Sequence, residues 1–98
     1  MTDYVYNAGG HAVGFVHEKF VYTLAGHPCG QVAGTHVYTL EGHYVGELEN
    51  GMVLDKHLGN LGPIGSHGNP GSTGTPGDPG LRLASTHGYA DMFGKLKP

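Results

Sequence analysis

The residues best suited to chemistry in this chain are histidines, of which there are eight in 98 residues. His11, His27 and His43 recur at a constant interval of sixteen residues, and each directly follows a glycine. Zinc and nickel accept imidazole nitrogens, so three equivalent histidines brought together would form a metal site. Against this, residues after a turn glycine usually point to water, and a metal needs its nitrogens within about 2 Å. These three histidines are the candidate metal ligands, and no cofactor is otherwise expected.

The single cysteine, Cys29, excludes an internal disulfide and could act as a nucleophile beside a histidine. However, Val13, Val45 and Leu61 fill the same place in the other repeat units described below. A small, buried apolar role for Cys29 is therefore predicted.

The remaining polar residues do not form a catalytic pattern. Glu47 and Glu49 alternate along a predicted strand and are not framed as an acid–base pair. His36 occupies the place that Phe20 and Met52 take in neighbouring units, so a half-buried core or rim position is predicted. The glycine-rich stretches lack the lysine and following helix of a phosphate-binding loop. The sequence therefore predicts a protein that is not an enzyme.

The histidine spacing is part of a longer internal repeat. The stretch VYTLAGHPCG from Val21 returns as VYTLEGHYVG from Val37, and related units begin at Val5 and Val53. A fixed period of this kind indicates one structural unit that is used several times.

The repeat unit has the pattern of a β-hairpin. Runs such as VYTL are short and rich in β-branched and aromatic residues, and turn residues separate them. Glycine at each first turn permits a positive φ, and Asn50-Gly51 is a strong hairpin signal at a second turn. Turns about every eight residues predict up to eight short antiparallel strands, and the nineteen glycines disfavour helix.

The candidate core follows from an assumed three-residue first loop. With the loop at AGH, the second residue of each unit would face the tenth, and Tyr22 would cover Gly30. A one-residue error would move the whole set to the other face of the sheet. Residues of the same parity form the predicted core: Tyr6, Tyr22, Tyr38, Leu24, Leu40, Val16, Val32, Leu48, Phe20 and Met52.

The combination of V-Y, G-x-x-x-G, an N-G turn and V-x-D resembles the 4-fold beta flower family of small bacterial proteins. The resemblance implies an all-β fold of four pseudo-symmetric hairpins around a central axis, and it brings no assigned activity. The fourth unit departs from the pattern, with Leu54 in place of Tyr and Leu58 in place of Gly. This departure predicts a last hairpin that is incomplete or differently closed. The predicted organisation is a four-hairpin domain over 1–64 and a Gly/Pro-rich extended tail with a docked C-terminus over 65–98.

The tail has glycine at every third position from Gly59 to Gly80. This Gly-x-y period is that of collagen, in which only glycine fits the crowded axis. Three interpretations stay open: a Gly/Pro linker that is periodic by accident, a polyproline II segment packed on its own β body or on a partner chain, and a trimeric collagen-like stub. Apolar residues further on, such as Met92 and Phe93, predict that the end of the tail docks.

The charge and hydropathy of the chain limit the classes of partner that it is expected to bind. The net charge is −3 without a basic cluster, so nucleic-acid binding is not expected. A signal-peptide pattern and an apolar run of membrane-spanning length are both lacking, which predicts a cytoplasmic protein that does not bind membranes. The predicted function is a structural or protein-interaction module, either a homo-oligomer that self-associates through the Gly-x-y segment or bound to an unknown protein partner. The alternative is a small-ligand or metal-binding protein that uses the centre of the repeats or the rim histidines.

Overall fold

A computed structural model describes residues 3–56, 64–65, 70–71, 73–74, 76–77, 79–80 and 88–96. These residues form an all-β protein, as predicted, and among them no helix is long and apolar enough to cross a membrane. A short 3₁₀ turn covers Phe93–Lys95. The strands are β1 Asp3–Tyr6, β2 Ala12–His17, β3 Phe20–Thr23, β4 Pro28–Ala33, β5 His36–Thr39, β6 Tyr44–Glu49, β7 Met52–Asp55 and β8 Ala90–Asp91.

The strands form one antiparallel sheet in which neighbours along the chain are neighbours in space. β1–β2, β3–β4 and β5–β6 are hairpins, whereas β7 pairs with the distant β8. The sheet curls, and the backbone N–H of Tyr6 in β1 donates to the carbonyl of Gly51, just before β7, at 2.6 Å. Residues 57–63, including Leu58, were predicted to continue the fourth hairpin and lie outside the described residues.

The turns that join successive hairpins, called base turns here, match the sequence prediction. Glu18, Gly34 and Asn50 have φ values of 57°, 64° and 50°, and Gly51 follows at 70°. A positive φ suits the two-residue turns of twisted hairpins, for which Asn-Gly is the favoured pair. The base turns therefore lie where the repeat places them.

The turn inside each hairpin, called a tip turn here, contains the predicted glycine. In the second unit the Gly26 N–H donates to the Thr23 carbonyl at 2.9 Å, and the Thr23 N–H donates to the His27 carbonyl at 2.8 Å. Gly26 has a φ of 87°, which is the left-handed residue of a three-residue hairpin loop. Equivalent bonds occur at Gly10 and Gly42.

The predicted core face is wrong for the strand that opens each hairpin, but it holds for Val16, Val32 and Leu48, which pack against the observed core. The register of the hairpins gives the reason. Val21 lies opposite Gly30, and Tyr22 lies opposite Pro28. The tip loop occupies residues 24–26, one position earlier than assumed, and a register shift follows between Val21 and Tyr22. The combined offset is odd, and an odd offset exchanges the two faces of a strand. In the first three units the first residue, rather than the tyrosine, therefore faces the glycine.

The observed core centres on the repeated valines. Val5, Val21, Val37 and Val53 are all fully buried, and we call this cluster the hub. Cys29 and Leu96 pack into the same cluster. Of the predicted core residues, Tyr22, Tyr38 and Met52 are buried, and the others are half-buried.

The Gly-x-y segment departs from collagen geometry where it is described. Gly71, Gly77 and Gly80 have φ values of 81°, 85° and 87°, and each follows a proline. Collagen and polyproline II require a φ near −75°, so these three glycines have neither of the two conformations. Proline followed by glycine at positive φ is the signature of a type II turn.

The segment also contacts the β body. The Thr73 N–H donates to the carbonyl of the tip-turn residue Gly26 at 2.9 Å, and the Tyr4 hydroxyl donates to the Pro76 carbonyl at 3.1 Å. Earlier in the segment, the Ile64 N–H donates to the carbonyl of another tip-turn residue, Gly42, at 2.9 Å. At these points the tail packs on its own chain.

Candidate functional site

The three candidate metal ligands lie at the tip turns and are exposed. The backbone N–H of His27 donates to the Thr23 hydroxyl, and that of His43 donates to the Thr39 hydroxyl, so each tip holds its histidine in the same way. His11 is held by the Asn7 side chain. Within the described part of the chain, no three His, Cys, Asp or Glu side chains are grouped so that they could hold one ion. The rim metal site remains a prediction about the metal-loaded protein.

A polar cluster that the sequence reasoning missed surrounds Glu47 on β6. This residue is only 6% exposed, and its carboxylate accepts three hydrogen bonds. Thr35 Oγ1 donates to Oε1 at 2.9 Å, and the Tyr44 hydroxyl donates to Oε2 at 2.7 Å. His36 Nδ1 lies 2.6 Å from the same Oε2. The donors come from a base turn, β5 and β6, so the carboxylate joins all three.

The charge state of Glu47 follows from these contacts. Burial by itself raises the pKa of the carboxyl, but hydrogen bonds from His36, Tyr44 and Thr35 outweigh it, and the net pKa is lowered. The carboxylate is therefore ionised at neutral pH and can only accept, so His36 Nδ1 carries the proton. Burial, followed by the bond to Glu47, raises the pKa of the Tyr44 hydroxyl, which stays protonated as a donor.

Aromatic contacts fix the position of the His36 ring. Its centroid lies 6.1 Å from that of Tyr44 and 6.5 Å from that of Tyr38, both in edge-to-face geometry. The imidazole remains 41% exposed at the side chain. The cluster holds one histidine nitrogen against a carboxylate and leaves the rest of the ring at the surface, an arrangement that fixes both the tautomer and the ring orientation.

A signal for the cluster was present in the sequence. Glu47 takes the eleventh place of its unit, where the two preceding units have Phe15 and Gln31. In the first unit Phe15 stacks on Tyr22, with centroids 5.3 Å apart. Gln31 is fully buried, and its amide donates to the Thr39 carbonyl at 3.1 Å. A carboxylate in a place that is buried in its sister units would have indicated a paired, buried charge.

Cys29 is fully buried, as predicted from the apolar residues at its place in the repeat. Burial raises the pKa of the thiol to about 12. The thiolate is the reactive form, so at neutral pH the folded protein keeps this cysteine protonated and unreactive.

The face of the sheet over the hub is occupied by residues 88–96, which we call the docking segment. Its strand β8 extends the sheet beside β7, and the Met92 N–H donates to the Val53 carbonyl at 2.8 Å. The Phe93 ring lies 3.1 Å from where a Cβ would stand on Gly14, and a Leu96 methyl lies 2.9 Å from that point on Gly30. The Asp91 carboxylate accepts the Ala8 N–H at 3.0 Å. Repeat glycines therefore make room for two apolar side chains of the segment.

These features define a small all-β protein built on a repeated hairpin, with one curled sheet that binds a later part of its own chain. A family model described as "4-fold beta flower protein" matches residues 3–98, and the chain belongs to that family. The resemblance noted in the sequence is thereby confirmed. Comparison with curated proteins and with solved structures gave no match.

Proposed function

We propose that this protein is a non-catalytic structural or protein-interaction module that self-associates through its Gly-x-y tail and docking segment. The observation that carries the proposal is the way the sheet holds the docking segment. Strand β8 adds to the edge of β7, and Phe93 and Leu96 fill spaces over Gly14 and Gly30. Main-chain pairing combined with pockets for alternate side chains is a recurring mode of peptide recognition.

The contacts of the tail support the same proposal. Backbone groups of a Gly-x-y segment need hydrogen-bond partners, and the carbonyls of the tip turns supply them to Ile64 and Thr73. The accepting residues, Gly42 and Gly26, occupy equivalent places in two units. A second copy presents the same acceptors to the same donors, so the surface is suited to its own tail.

The proposal also includes a pseudo-fourfold arrangement of the four repeat units around a central axis. Each of the four units contributes its first valine to the hub, and three of them share the same tip and base turns. In the proposed arrangement residues 1–64 form the repeat domain and 65–98 form the tail, whose strand β8 pairs with β7 of the repeat domain. We infer a bacterial cytoplasmic location, in which an unpaired thiol such as Cys29 stays reduced.

Sedimentation velocity over a wide range of protein concentration tests the proposal. We expect a defined oligomer whose fraction rises with concentration. Replacing Thr73 with Pro removes the N–H that binds Gly26 and also fixes φ at residue 73, and we expect this variant to associate more weakly if the tail mediates assembly. A wild-type protein that remains a monomer at the highest concentration would contradict the proposal.

A further inference from the structure

We infer that the surface over the hub is a binding site for the docking segment of a second copy, and that copies associate by exchanging residues 88–96. This inference rests on the proposed function and names the segment and the surface that would meet. The bound segment defines the ligand chemistry. Two residues in extended conformation are followed by a 3₁₀ turn, with Phe93 at its first position and Leu96 directly after it.

The hub requires an occupant. Its four valines are 0% exposed, and Leu96, at 5% exposed, is part of the same buried cluster. Met92 and Phe93 pack against this cluster as well. Withdrawal of the segment would open this apolar surface to water, which is unfavourable. A surface of this kind therefore favours rebinding of a segment, whichever copy supplies it.

A segment from a second copy can make every contact that the chain's own segment makes. β8 pairs with β7 at only two positions, Leu54 with Asp91 and Asp55 with Ala90. Other contacts include the Met92–Val53 backbone bond, the Asp91–Ala8 bond, the Lys56 ammonium over the Tyr89 ring and the two apolar side chains. All of them join the segment to residues 3–56, so exchange conserves them and alters only the connection, as in other domain-swapped proteins.

The connection is long enough for exchange. Residues 57–87 can span on the order of 100 Å when extended, whereas the molecule measures 34 × 33 × 20 Å. Thr73 with Gly26 and Tyr4 with Pro76, two of the contacts of its central part, are single hydrogen bonds. The same connection keeps a copy's own segment at a high effective concentration near the hub. A second copy's segment must compete with it, so exchange should increase with protein concentration.

Disulfide trapping between two full-length variants tests the exchange. Asp55→Cys and Ala90→Cys place thiols at paired positions of β7 and β8, and Ala90 is exposed. The native Cys29 is buried and does not compete. The double variant should form the bridge within one copy, which validates the geometry. The two single variants, mixed, equilibrated and oxidised, should form a 55–90 bridge between copies, identified by mass spectrometry, in a fraction that rises with concentration.

The matched control replaces Asp55→Cys with Glu41→Cys, at an exposed residue of a tip turn. Exchange is overturned if the double variant bridges internally and the mixed single variants give no 55–90 bridge, or if the Glu41→Cys control bridges equally well. An oligomer in sedimentation without the 55–90 bridge overturns exchange and leaves the proposed function standing. A monomer in sedimentation contradicts both.

A peptide measurement keeps the inference testable if the cysteine variants bridge poorly. A peptide of residues 88–96 should bind the full-length Phe93→Ala/Leu96→Ala variant and raise its melting temperature. A peptide with the same two alanines should not. Equal effects of the two peptides, or no effect of either on a folded variant, would overturn the assignment of this surface as the binding site.

Discussion

The imidazole of His36 and the carboxylate of Glu47 lie 2.6 Å apart, from Nδ1 to Oε2, across the β5–β6 pair. The two residues are directly opposite each other in the register, and Tyr44 and Thr35 donate further hydrogen bonds to the carboxylate. The Glu47 carboxylate thus has three side-chain partners, and this arrangement yields the first two predictions.

Replacing Glu47 with Gln should lower the free energy of unfolding by about 1–3 kcal/mol, because the amide cannot accept from three donors as the carboxylate does. Urea denaturation at neutral pH measures the loss. Glu49→Gln is the matched control on the same strand, since the Glu49 side chain is more exposed than that of Glu47 and its ion pair with Lys56 should matter little. Equal losses in both variants would show that the buried cluster has no special role.

The contribution of Glu47 should depend on pH in one direction. Its pKa in the folded protein lies below the ordinary value of 4.5, so the unfolded chain binds the proton more readily. Stability from this group is therefore fully present above that ordinary value and is lost as pH falls through the folded pKa. The stability gap between wild type and Glu47→Gln should narrow in acid. A gap that widens as the pH falls would refute the assignment.

Gly42 should tolerate a side chain less well than Gly34. Both residues have positive φ, 100° and 64°, but a Cβ on Gly42 would overlap the Ile64 carbonyl oxygen, whereas one on Gly34 meets nothing within 4 Å. Gly34→Ala should cost about 1–2 kcal/mol from backbone conformation alone. Gly42→Ala should cost more, because the chain at Ile64 must move. Thermal unfolding of the pair of variants compares the two costs directly.

Leu96→Ala should destabilise the protein by about 2–5 kcal/mol, as expected for a buried leucine in a small core. Lys95→Ala is the adjacent control, at an exposed residue of the same turn. Urea unfolding of both variants gives the difference. A loss of similar size at Lys95 would mean that the turn, rather than the apolar contact over Gly30, holds the segment.

The rim prediction can be tested by titrating zinc or nickel into the wild type and into a His11→Ala/His27→Ala/His43→Ala variant. If the three imidazoles form a site, the wild type should bind one metal ion per protein molecule, and the variant should lose that binding. Isothermal titration calorimetry reports both stoichiometry and affinity. Uptake that is unchanged in the variant would remove these residues as ligands.

The period and the turns could be predicted from the sequence because they depend on local chemistry. Gly26 and Asn50 mark turns through backbone conformations that few other residues adopt, and both are found at positive φ. The face of the strand that opens each hairpin could not be predicted in the same way. The shift between Val21 and Tyr22 is a single backbone irregularity without a residue signature, and it decides which side chain faces Gly30.

Long-range partners were the other part that local patterns could not supply. The pairing of Leu54 with Asp91 joins a residue of the sixteen-residue repeat to a residue of the docking segment, and the two stretches share no sequence pattern. The Glu47 cluster was missed for a related reason, since its donors become neighbours only after β5 and β6 pair. Comparing Phe15, Gln31 and Glu47 as one place in the repeat would have indicated it.

The backbone bond from Tyr6 to Gly51 has a consequence for the order of events during folding. Each hairpin joins residues close in sequence and can form in microseconds, whereas this bond must bring the first strand to the end of the third hairpin. Such non-local closure slows a folding rate even when stability is unchanged. We therefore expect early hairpins and a late, rate-limiting contact between β1 and the turn that precedes β7.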